Sequence, residues 1–201
     1  MDLFSTEIAP NLLPYDGEVR YYGKVLNAKN AQFFYEKLFD TIAWKNDEAI
    51  VFGKHILTDR KVALYGDAEY NYSYSKINKQ ALIWTKELLE LKKITEELTE
   101  VKFNSCLLNL YHNGQEGMAY HSDNEKTLGK NNTIASLSFG AERNFLFKHK
   151  KTKQTVSVFL EKASLLVMKG TTQTNWLHRL PKTTKVKIPR INLTFRTIIG
   201  Q

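Results

Sequence analysis

A histidine and an aspartate stand one residue apart, as His121 and Asp123, in the stretch GMAYHSDNEKTL. On an extended segment both side chains project to the same side, so an imidazole and a carboxylate can bind one metal ion. A bare His-x-Asp also occurs by chance in polar loops, and a third ligand is needed. Among the other histidines, His178 in NWLHRLP follows the apolar segment SLLVMKG, where a ligand from a neighbouring strand would arrive. Two histidines and one carboxylate favour non-haem Fe(II) and oxygen chemistry, with catalytic zinc as the alternative.

A second group of polar residues lies on the strand-like segment RINLTFR, residues 190–196. Side chains alternate between the faces of a strand, which puts its apolar residues on one face. The opposite face carries Arg190, Asn192, Thr194 and Arg196. This face is either the wet side of a half-exposed strand or the lining of a pocket. In a pocket the two guanidiniums require anionic partners, because an unpaired buried charge is costly, and arginine binds carboxylates through two parallel hydrogen bonds.

A neighbouring segment, FNSCLLNLYHNG, adds Asn109 and Tyr111 on a shared face. These two residues either point to solvent or add hydrogen bonds to the same anion. One hypothesis explains both polar groups: a metal whose open positions take a bidentate keto acid and dioxygen, with the arginines holding the carboxylates of that acid. The combined pattern of His-x-Asp, a distant histidine and Arg-x-Asn-x-x-x-Arg is far more specific than any of its parts.

The elements that must position these residues change character along the chain. Residues 1–28 look irregular, and residues 46–75 contain short apolar pieces and many tyrosines. Helical spacing predicts one helix in NAQFFYEKLFDTIAW, with Asn30 as a possible cap, and a second in KQALIWTKELLELKKITEEL. The apolar face of the first helix is predicted to carry Phe33, Phe34, Leu38 and Ile42. Short β-rich segments follow from residue 103, so the order of elements indicates an α+β fold with helices backing a sheet or barrel.

Composition restricts the class of protein. The chain has 201 residues, 42% hydrophobic content and a mean hydropathy of -0.40, which is typical of a soluble globular protein. No apolar run approaches the ~20 residues of a membrane helix, and the start does not resemble a signal peptide. The single cysteine, Cys106, predicts a buried inert thiol and an intracellular, reducing compartment. The net charge of +8 and the pI near 9.4 favour polyanionic partners, nucleic acid or an anionic membrane, without requiring them.

The sequence resembles the AlkB family of iron(II)- and 2-oxoglutarate-dependent nucleic-acid dealkylases. The resemblance is carried by NLYHNG, YHSDNE, IASLSFGAERNFLFKHK, WLHRLP and PRINLTFR. Upstream, VFGK and ALYGDAEYNYSYS are similar to the subgroup that repairs double-stranded DNA, so the resemblance spans roughly residues 50–199. It implies a double-stranded β-helix (jelly roll) core with N-terminal helices and a nucleotide-recognition lid.

The resemblance also implies roles for individual residues. The iron(II) ligands would be His121, Asp123 and His178. The 2-oxoglutarate site would consist of Arg190, helped by Asn109 and Tyr111, for the distal carboxylate, Arg196 for the carboxylate nearer the metal, and Asn192 in support. With O2 as co-substrate, the implied reaction decarboxylates 2-oxoglutarate to succinate and releases N-methyl groups as formaldehyde, with 1-methyladenine and 3-methylcytosine as typical lesions.

Duplex DNA with a flipped, alkylated base is the implied partner. Val51, Phe52 and Gly53 match a wedge that fills the gap left by that base, although Phe52 could equally lie in a core. Of the clustered Tyr65, Tyr70, Tyr72 and Tyr74, the resemblance favours Tyr72 and Tyr74 for stacking on the base, and at least one or two of the four would simply pack on the body. Glu125 would read the exocyclic amine of the base, and Asn124 stands where the subgroup has a second acid. Phosphates would be bound by the basic residues Arg143, Lys148, Lys150, Lys151, Lys153, Lys182, Lys185 and Lys187.

Two alternatives remain open at the level of sequence. One is an oxygenase of the same fold that acts on RNA or on a protein side chain, and the other is a nucleic-acid-binding module with a structural metal. We expect one monomeric domain over residues 1–201. It would comprise an N-terminal extension and helix (1–45), the lid (46–80), a supporting helix (81–100) and the oxygenase core (101–201). The expected location is intracellular, in the cytoplasm of a bacterium or the nucleus of a eukaryote, with no membrane association.

Overall fold

The computed structural model describes residues 9–51, 54–69, 71–74 and 77–199, with side chains except at 49–51, 54–56, 71–74 and 77–79. The helices are α1 (Ala28–Thr41), α2 (Lys86–Thr99) and the short α3 (Thr172–Asn175), with a 3-10 turn at Lys126–Leu128. The first strands are β1 (Glu18–Lys24), β2 (Lys45–Val51), β3 (Lys54–Gly66), β4 (Asn71–Tyr74), β5 (Ile77–Gln80) and β6 (Leu82–Ile83). The later strands are β7 (Ser105–Tyr111), β8 (Met118–His121), β9 (Ile134–Gly140), β10 (Arg143–His149), β11 (Thr155–Leu160), β12 (Ser164–Lys169), β13 (Trp176–Leu180) and β14 (Arg190–Arg196).

A large sheet and a smaller sheet form the body of the protein. The large sheet has the order β1-β12-β9-β14-β7-β3-β2, with the short β6 added in parallel to β3. The smaller sheet has the order β11-β10-β13-β8. Apart from β3 with β6, the paired strands are antiparallel, and between β9 and β12 of the large sheet the chain forms the hairpin β10–β11 of the smaller sheet. This arrangement confirms the α+β fold with a jelly-roll core.

Strand β14 lies in the middle of the large sheet, between β9 and β7. Its apolar face, with Ile191, Leu193 and Phe195, joins the hydrophobic core beneath α1 and α2. Its polar face turns to the space between the sheets, where it lines a cavity. The wet, half-exposed alternative for this strand is therefore wrong.

The two predicted helices are present, but their ends differ from the prediction. The N-cap of α1 is Asn27, whose side chain accepts a hydrogen bond from the backbone N–H of Asn30 at 2.9 Å, so Asn30 is not the cap. Phe33 is 47% exposed, while Phe34 and Leu38 are buried against the large sheet. Thr85 caps α2, which begins later than predicted because β6 precedes it.

Residues predicted to be irregular also contribute a strand. β1 is antiparallel to β12 at the edge of the large sheet, with Val19 paired to Met168. The strands β2 and β3 extend the same sheet at its other edge, because β3 pairs with β7. In the part of the chain that the structure describes, no helix is long and apolar enough to span a bilayer.

Candidate metal and carboxylate site

Three side chains with metal-binding atoms meet between the sheets. His121 ends β8 and is paired with His178 of the antiparallel strand β13, and their Nε2 atoms are 3.1 Å apart. Asp123 follows two residues after β8, with Oδ1 3.8 Å from Nε2 of His121 and Oδ2 3.9 Å from Nε2 of His178. The ligand atoms all lie within 4.8 Å of one another. The structure therefore brings together the three residues that the sequence predicted as ligands.

The protonation of these groups suits a divalent metal. Nδ1 of His121 donates to the backbone carbonyl of Ala119 at 2.8 Å, which leaves the lone pair on Nε2, the atom facing the other ligands. Burial, assisted by His121, lowers the pKa of His178 to about 3, so this imidazole is neutral. Two nitrogens bound to one ion at about 2.1 Å and at right angles are about 3.0 Å apart, close to the spacing observed. The donor set fits an Fe(II) ion with open positions.

Asp123 remains a carboxylate although it is buried. Burial alone would raise its pKa, but electrostatic interactions, chiefly with the positive charge of Arg196, outweigh burial and lower the pKa. Arg196 ends β14 and lines the same cavity as the three ligands. The charge of Arg196 on β14 therefore stabilises the carboxylate form of one of the metal ligands.

The other end of the polar face is built around Arg190, which is 3% exposed. Its Nη2 donates to Oγ of Ser138 at 3.0 Å and to Oδ1 of Asn192 at 2.7 Å. Its guanidinium lies over the ring of Tyr111, 5.7 Å from the centroid. Among the described residues, Nε of Arg190 has no hydrogen-bond partner, and no carboxylate forms an ion pair with it. Burial lowers the pKa of Arg190 to about 10, so this buried cation fits an anionic ligand.

The antiparallel register of β14 and β7 brings the remaining predicted carboxylate residues to the same place. Arg190 is paired with Tyr111 and Asn192 with Asn109, and all four line the cavity that also contains the three metal ligands. Asn192 Oδ1 also accepts from Oγ of Ser136 at 2.9 Å. Their roles in binding 2-oxoglutarate stay predictions, although the residues present fit a dicarboxylate next to a metal.

Two charged residues of this cavity, Arg60 and Asp47, were missed in the sequence. Arg60 of β3 is buried, forms a salt bridge with Asp47 of β2, and lies 5.9 Å from the ring centroid of Tyr111. The ring of Tyr111 thus has guanidiniums of Arg60 and Arg190 near it. The available signal was the alternation in RKVALYG, which places Arg60, Val62 and Leu64 on one face of a long strand. Ser136 and Ser138 of IASLSFG carried a similar signal.

The predicted base-contacting residues are only partly described. Phe52, Gly53 and Tyr70 lie outside the described residues, as do the side chains of Val51, Tyr72 and Tyr74. The backbone places Val51 at the end of β2, and Tyr72 and Tyr74 in β4, which pairs with β5. Tyr65 is 4% exposed, and its hydroxyl accepts from the backbone N–H of Ala43 at 3.1 Å, so it packs in the body.

Asn124 is exposed and Glu125 is half-buried beside the metal ligands. Oε2 of Glu125 is buried and has no hydrogen-bond partner among the described residues. Burial and the nearby charge of Asp123 raise the pKa of Glu125. An unpartnered carboxyl oxygen here is available to a ligand that donates a hydrogen bond.

Two of the basic residues predicted to bind phosphate are engaged elsewhere. Arg143 is 2% exposed, and its Nη2 donates to the backbone carbonyls of Glu116 at 3.1 Å and Pro181 at 2.6 Å. Nζ of Lys150 donates to the carbonyl of Gln173 at 2.9 Å. The phosphate role is therefore wrong for the buried Arg143, whereas for Lys150 it stays a prediction. The exposed members of the group are Lys151, Lys153, Lys182, Lys185 and Lys187, and Lys148 is half-buried over the ring of Tyr120.

Comparison with known proteins decides the family. The profile of the family described as the 2OG-Fe(II) oxygenase superfamily matches residues 18–196. This chain belongs to the 2OG-Fe(II) oxygenase superfamily. Within it, the chain is 31% identical over 215 residues to the DNA oxidative demethylase ALKBH2 of Arabidopsis thaliana, covering 93% of this chain and 68% of that protein. The expected AlkB family is thereby confirmed.

Other members of the superfamily are also similar. The alpha-ketoglutarate-dependent dioxygenase alkB homolog 3 of Bos taurus is 38% identical over 182 residues, 86% of this chain and 63% of that protein. The DNA oxidative demethylase ALKBH2 of Mus musculus is 39% identical over 157 residues, 74% of this chain and 66% of that protein. The chain thus spans slightly less than two thirds of the length of these two relatives. The solved structure titled "The structure of OsALKBH1" superposes with a TM-score of 0.63 at 16% identity, over 89% of this chain and 97% of that one, which supports the fold.

Proposed function

We propose that this chain is an Fe(II)- and 2-oxoglutarate-dependent dioxygenase that removes N-linked methyl groups from DNA bases. The observation that carries the proposal is that one cavity is lined both by the His121, Asp123 and His178 triad and by the polar face of β14. The triad would bind an iron ion, and the polar face of β14 would bind a dicarboxylate next to it. The substrate class is inferred from the relatives whose names describe DNA oxidative demethylases.

The protein residues would divide the work of binding and orientation. His121, Asp123 and His178 would hold Fe(II) and leave positions open. Arg190 would bind the distal carboxylate of 2-oxoglutarate, with Asn109 and Tyr111 adding hydrogen bonds, and Arg196 would bind the carboxylate nearer the metal. Asn192 fixes the guanidinium of Arg190 through their 2.7 Å hydrogen bond. When bound, iron and 2-oxoglutarate supply the oxidising chemistry with O2, so that 2-oxoglutarate becomes succinate and CO2 while the N-methyl carbon is hydroxylated and leaves as formaldehyde.

The substrate would be duplex DNA with the methylated base flipped into the cavity. Val51, Phe52 and Gly53 would fill the gap in the duplex, and Tyr72 and Tyr74 would stack on the base, with the ring of His121 on its other face. The half-buried Glu125, whose Oε2 has no hydrogen-bond partner among the described residues, would accept a hydrogen bond from the exocyclic amine of 1-methyladenine or 3-methylcytosine. Asn124, next to it, would modulate the choice of lesion. The exposed lysines would bind phosphates without reading sequence, so affinity should fall steeply with salt.

The proposal is tested with a panel of methylated oligonucleotides. Iron-loaded protein is incubated with O2, with and without 2-oxoglutarate, on 1-methyladenine and 3-methylcytosine in duplex DNA, single-stranded DNA and single-stranded RNA. We expect one formaldehyde and one succinate per methyl group removed, and activity on DNA that disappears in Asp123→Ala.

The panel separates the alternatives. Normal 2-oxoglutarate binding without removal of methyl groups from any nucleic acid would refute the substrate and favour another class, such as a protein side chain. Equal or greater activity on RNA would refute the duplex-DNA assignment. Absence of metal binding by the native protein would refute the oxygenase itself.

A further inference from the structure

The turn that carries Asp123 is held by a residue far away in sequence. Asp123 lies beyond the last residue of β8, so its position does not follow from the strand ladder. Its backbone N–H donates to Oε1 of Gln173 at 2.9 Å. Gln173 lies in α3, is 5% exposed, and its Nε2 contacts Sδ of Met168 at 3.4 Å. A buried amide fixed at both ends thus determines where the aspartate backbone lies.

A lysine connects the same two segments. Nζ of Lys150 donates to the backbone carbonyl of Gln173 at 2.9 Å and is 3.3 Å from Oγ of Ser122, the residue between His121 and Asp123. The backbone N–H of Lys150 also donates to the carbonyl of Asn175 at 2.8 Å. Burial lowers the pKa of the Lys150 amine. Lys150 is therefore directed inward to the metal turn, whereas the next residue, Lys151, is exposed.

The metal ligands differ in how firmly the sheet holds them. His178 lies in the interior strand β13, with β10 on one side and β8 on the other. Within the part of the chain that the structure describes, Asp123 is not paired in a strand, and contacts from Gln173 and Lys150 hold its segment instead. Outer contacts of this kind orient metal ligands, and their loss typically weakens metal binding by 10–100-fold.

We propose that Gln173 and Lys150 are positioning residues of the metal site, and that Lys150, unlike Lys151, does not bind DNA phosphate. The inference rests on the metal-binding part of the proposed function and does not depend on the substrate. Gln173 fixes the backbone of Asp123, and Lys150 ties Ser122 to the segment that leads into β13. The basic segment 148–153 therefore has residues with two different tasks.

The test uses Lys150→Met, which keeps the aliphatic stem, and Lys151→Met as a matched control in the same segment. Metal-free protein is titrated with Co(II), whose visible absorption reports both affinity and coordination geometry. Duplex affinity is measured separately by fluorescence anisotropy. We expect Lys150→Met to weaken Co(II) binding by about 10–100-fold and to alter the absorption, with no loss of duplex affinity. Lys151→Met should bind Co(II) like the native protein and should bind the duplex more weakly.

Two further variants guard against a general loss of structure. Lys150→Arg retains donors for both oxygens and should recover most of the Co(II) affinity. Gln173→Met removes the acceptor for Asp123 at similar volume and should weaken Co(II) binding like Lys150→Met, and the double variant should show less than additive loss because both act on one turn. Melting of each metal-free variant checks that it is folded.

The outcomes separate this inference from the function on which it rests. Co(II) binding by Lys150→Met within twofold of native, together with weaker duplex binding, would overturn the inference and return Lys150 to the phosphate contacts. Native protein that binds no Co(II) would overturn both the metal site and its positioning residues. Native protein that binds Co(II) but repairs no DNA would refute the substrate alone.

Discussion

The two faces of β14 are both largely buried but consist of different kinds of residue. Ile191, Leu193 and Phe195 are 0% exposed and contact apolar side chains beneath α1 and α2. Arg190 and Arg196 are 3% and 2% exposed on the opposite face, in a cavity lined by the metal ligands. Burial alone therefore does not distinguish a stabilising face from a functional one. The distinction lies in chemistry. The apolar side chains of one face pack within the protein, whereas the other face contains a buried cation suited to an external anion.

This difference separates stability from binding. Apolar side chains on the helix-covered face gain free energy from their removal from water, whether or not a ligand is present. A buried guanidinium without a carboxylate costs free energy in the absence of a ligand and returns it when an anion binds. Substitutions on the two faces of one strand should therefore have opposite signatures.

The largest effect is expected for Arg190→Met. Truncation of one partner of a buried charge pair costs about 2–5 kcal/mol, so 2-oxoglutarate affinity, measured by calorimetry with a redox-inert metal, should fall by at least about 30-fold. The free energy of unfolding should change by less than about 1 kcal/mol, because relief from burying the charge offsets the lost hydrogen bonds. Lys185→Met removes the same charge at an exposed position and should not change this affinity. Near-native affinity in Arg190→Met would show that the anion binds elsewhere.

The second-largest effect is expected for a substitution on the apolar face of β14. Leu193→Ala opens a cavity in the core and should lower the free energy of unfolding by about 3 kcal/mol in chemical denaturation. The folded fraction should bind 2-oxoglutarate within twofold of native, since Leu193 points away from the cavity. A large loss of affinity without loss of stability would mean that the two faces are not independent.

The sequence was sufficient for the parts of this site that follow from strand alternation and close spacing. The division of β14 into an apolar and a polar face follows from the period of two, although alternation alone did not distinguish solvent from pocket on the polar side. The same period led to the expectation that His121 and Asp123 share one side, although Asp123 lies beyond β8 in the structure. The helices α1 and α2 follow from helical periodicity, although the sequence indicated Asn30 as a possible cap of α1 and the structure shows Asn27 in that role. These predictions succeeded because each depends on neighbours within a few residues.

The rest of the fold and of the site depends on contacts between residues that are distant in the chain. β1 pairs with β12, and of its residues only Val19 is buried, so its sequence lacks the alternation of an inner strand. Lys150 and Lys151 are identical in type and adjacent, yet one contacts Gln173 and the other is exposed. Arg143 was interpreted as a surface cation because its hydrogen-bond acceptors are backbone carbonyls, and these cannot be recognised from residue types in the sequence. Tertiary position, rather than composition, decides such cases.

A smaller effect is expected for Asn192→Ala on the pocket face. Oδ1 of Asn192 orients Arg190, and its Nδ2 donates to Oγ1 of Thr194 at 2.9 Å. Loss of this orientation leaves the charge of Arg190 in place, so 2-oxoglutarate should bind about tenfold more weakly, a cost of about 1.4 kcal/mol. Asn192→Asp would give Arg190 an internal counterion and should weaken binding more than alanine does. Calorimetry on both variants checks this order, and a native-like Asp variant would argue against an anion at Arg190.

The smallest expected effect is that of Arg190→Met on the reactivity of Cys106. This thiol lies on β7, is 0% exposed among the helix-covered core, and has its pKa raised by burial, so it should react with iodoacetamide only when the protein opens. If opening is fast relative to labelling, the rate follows the population of the open state. Arg190→Met should then change the labelling rate less than about fivefold, the equivalent of 1 kcal/mol, whereas Leu193→Ala should raise it by about 100-fold. Equal acceleration by both substitutions would mean that the pocket face stabilises the fold as much as the apolar face does.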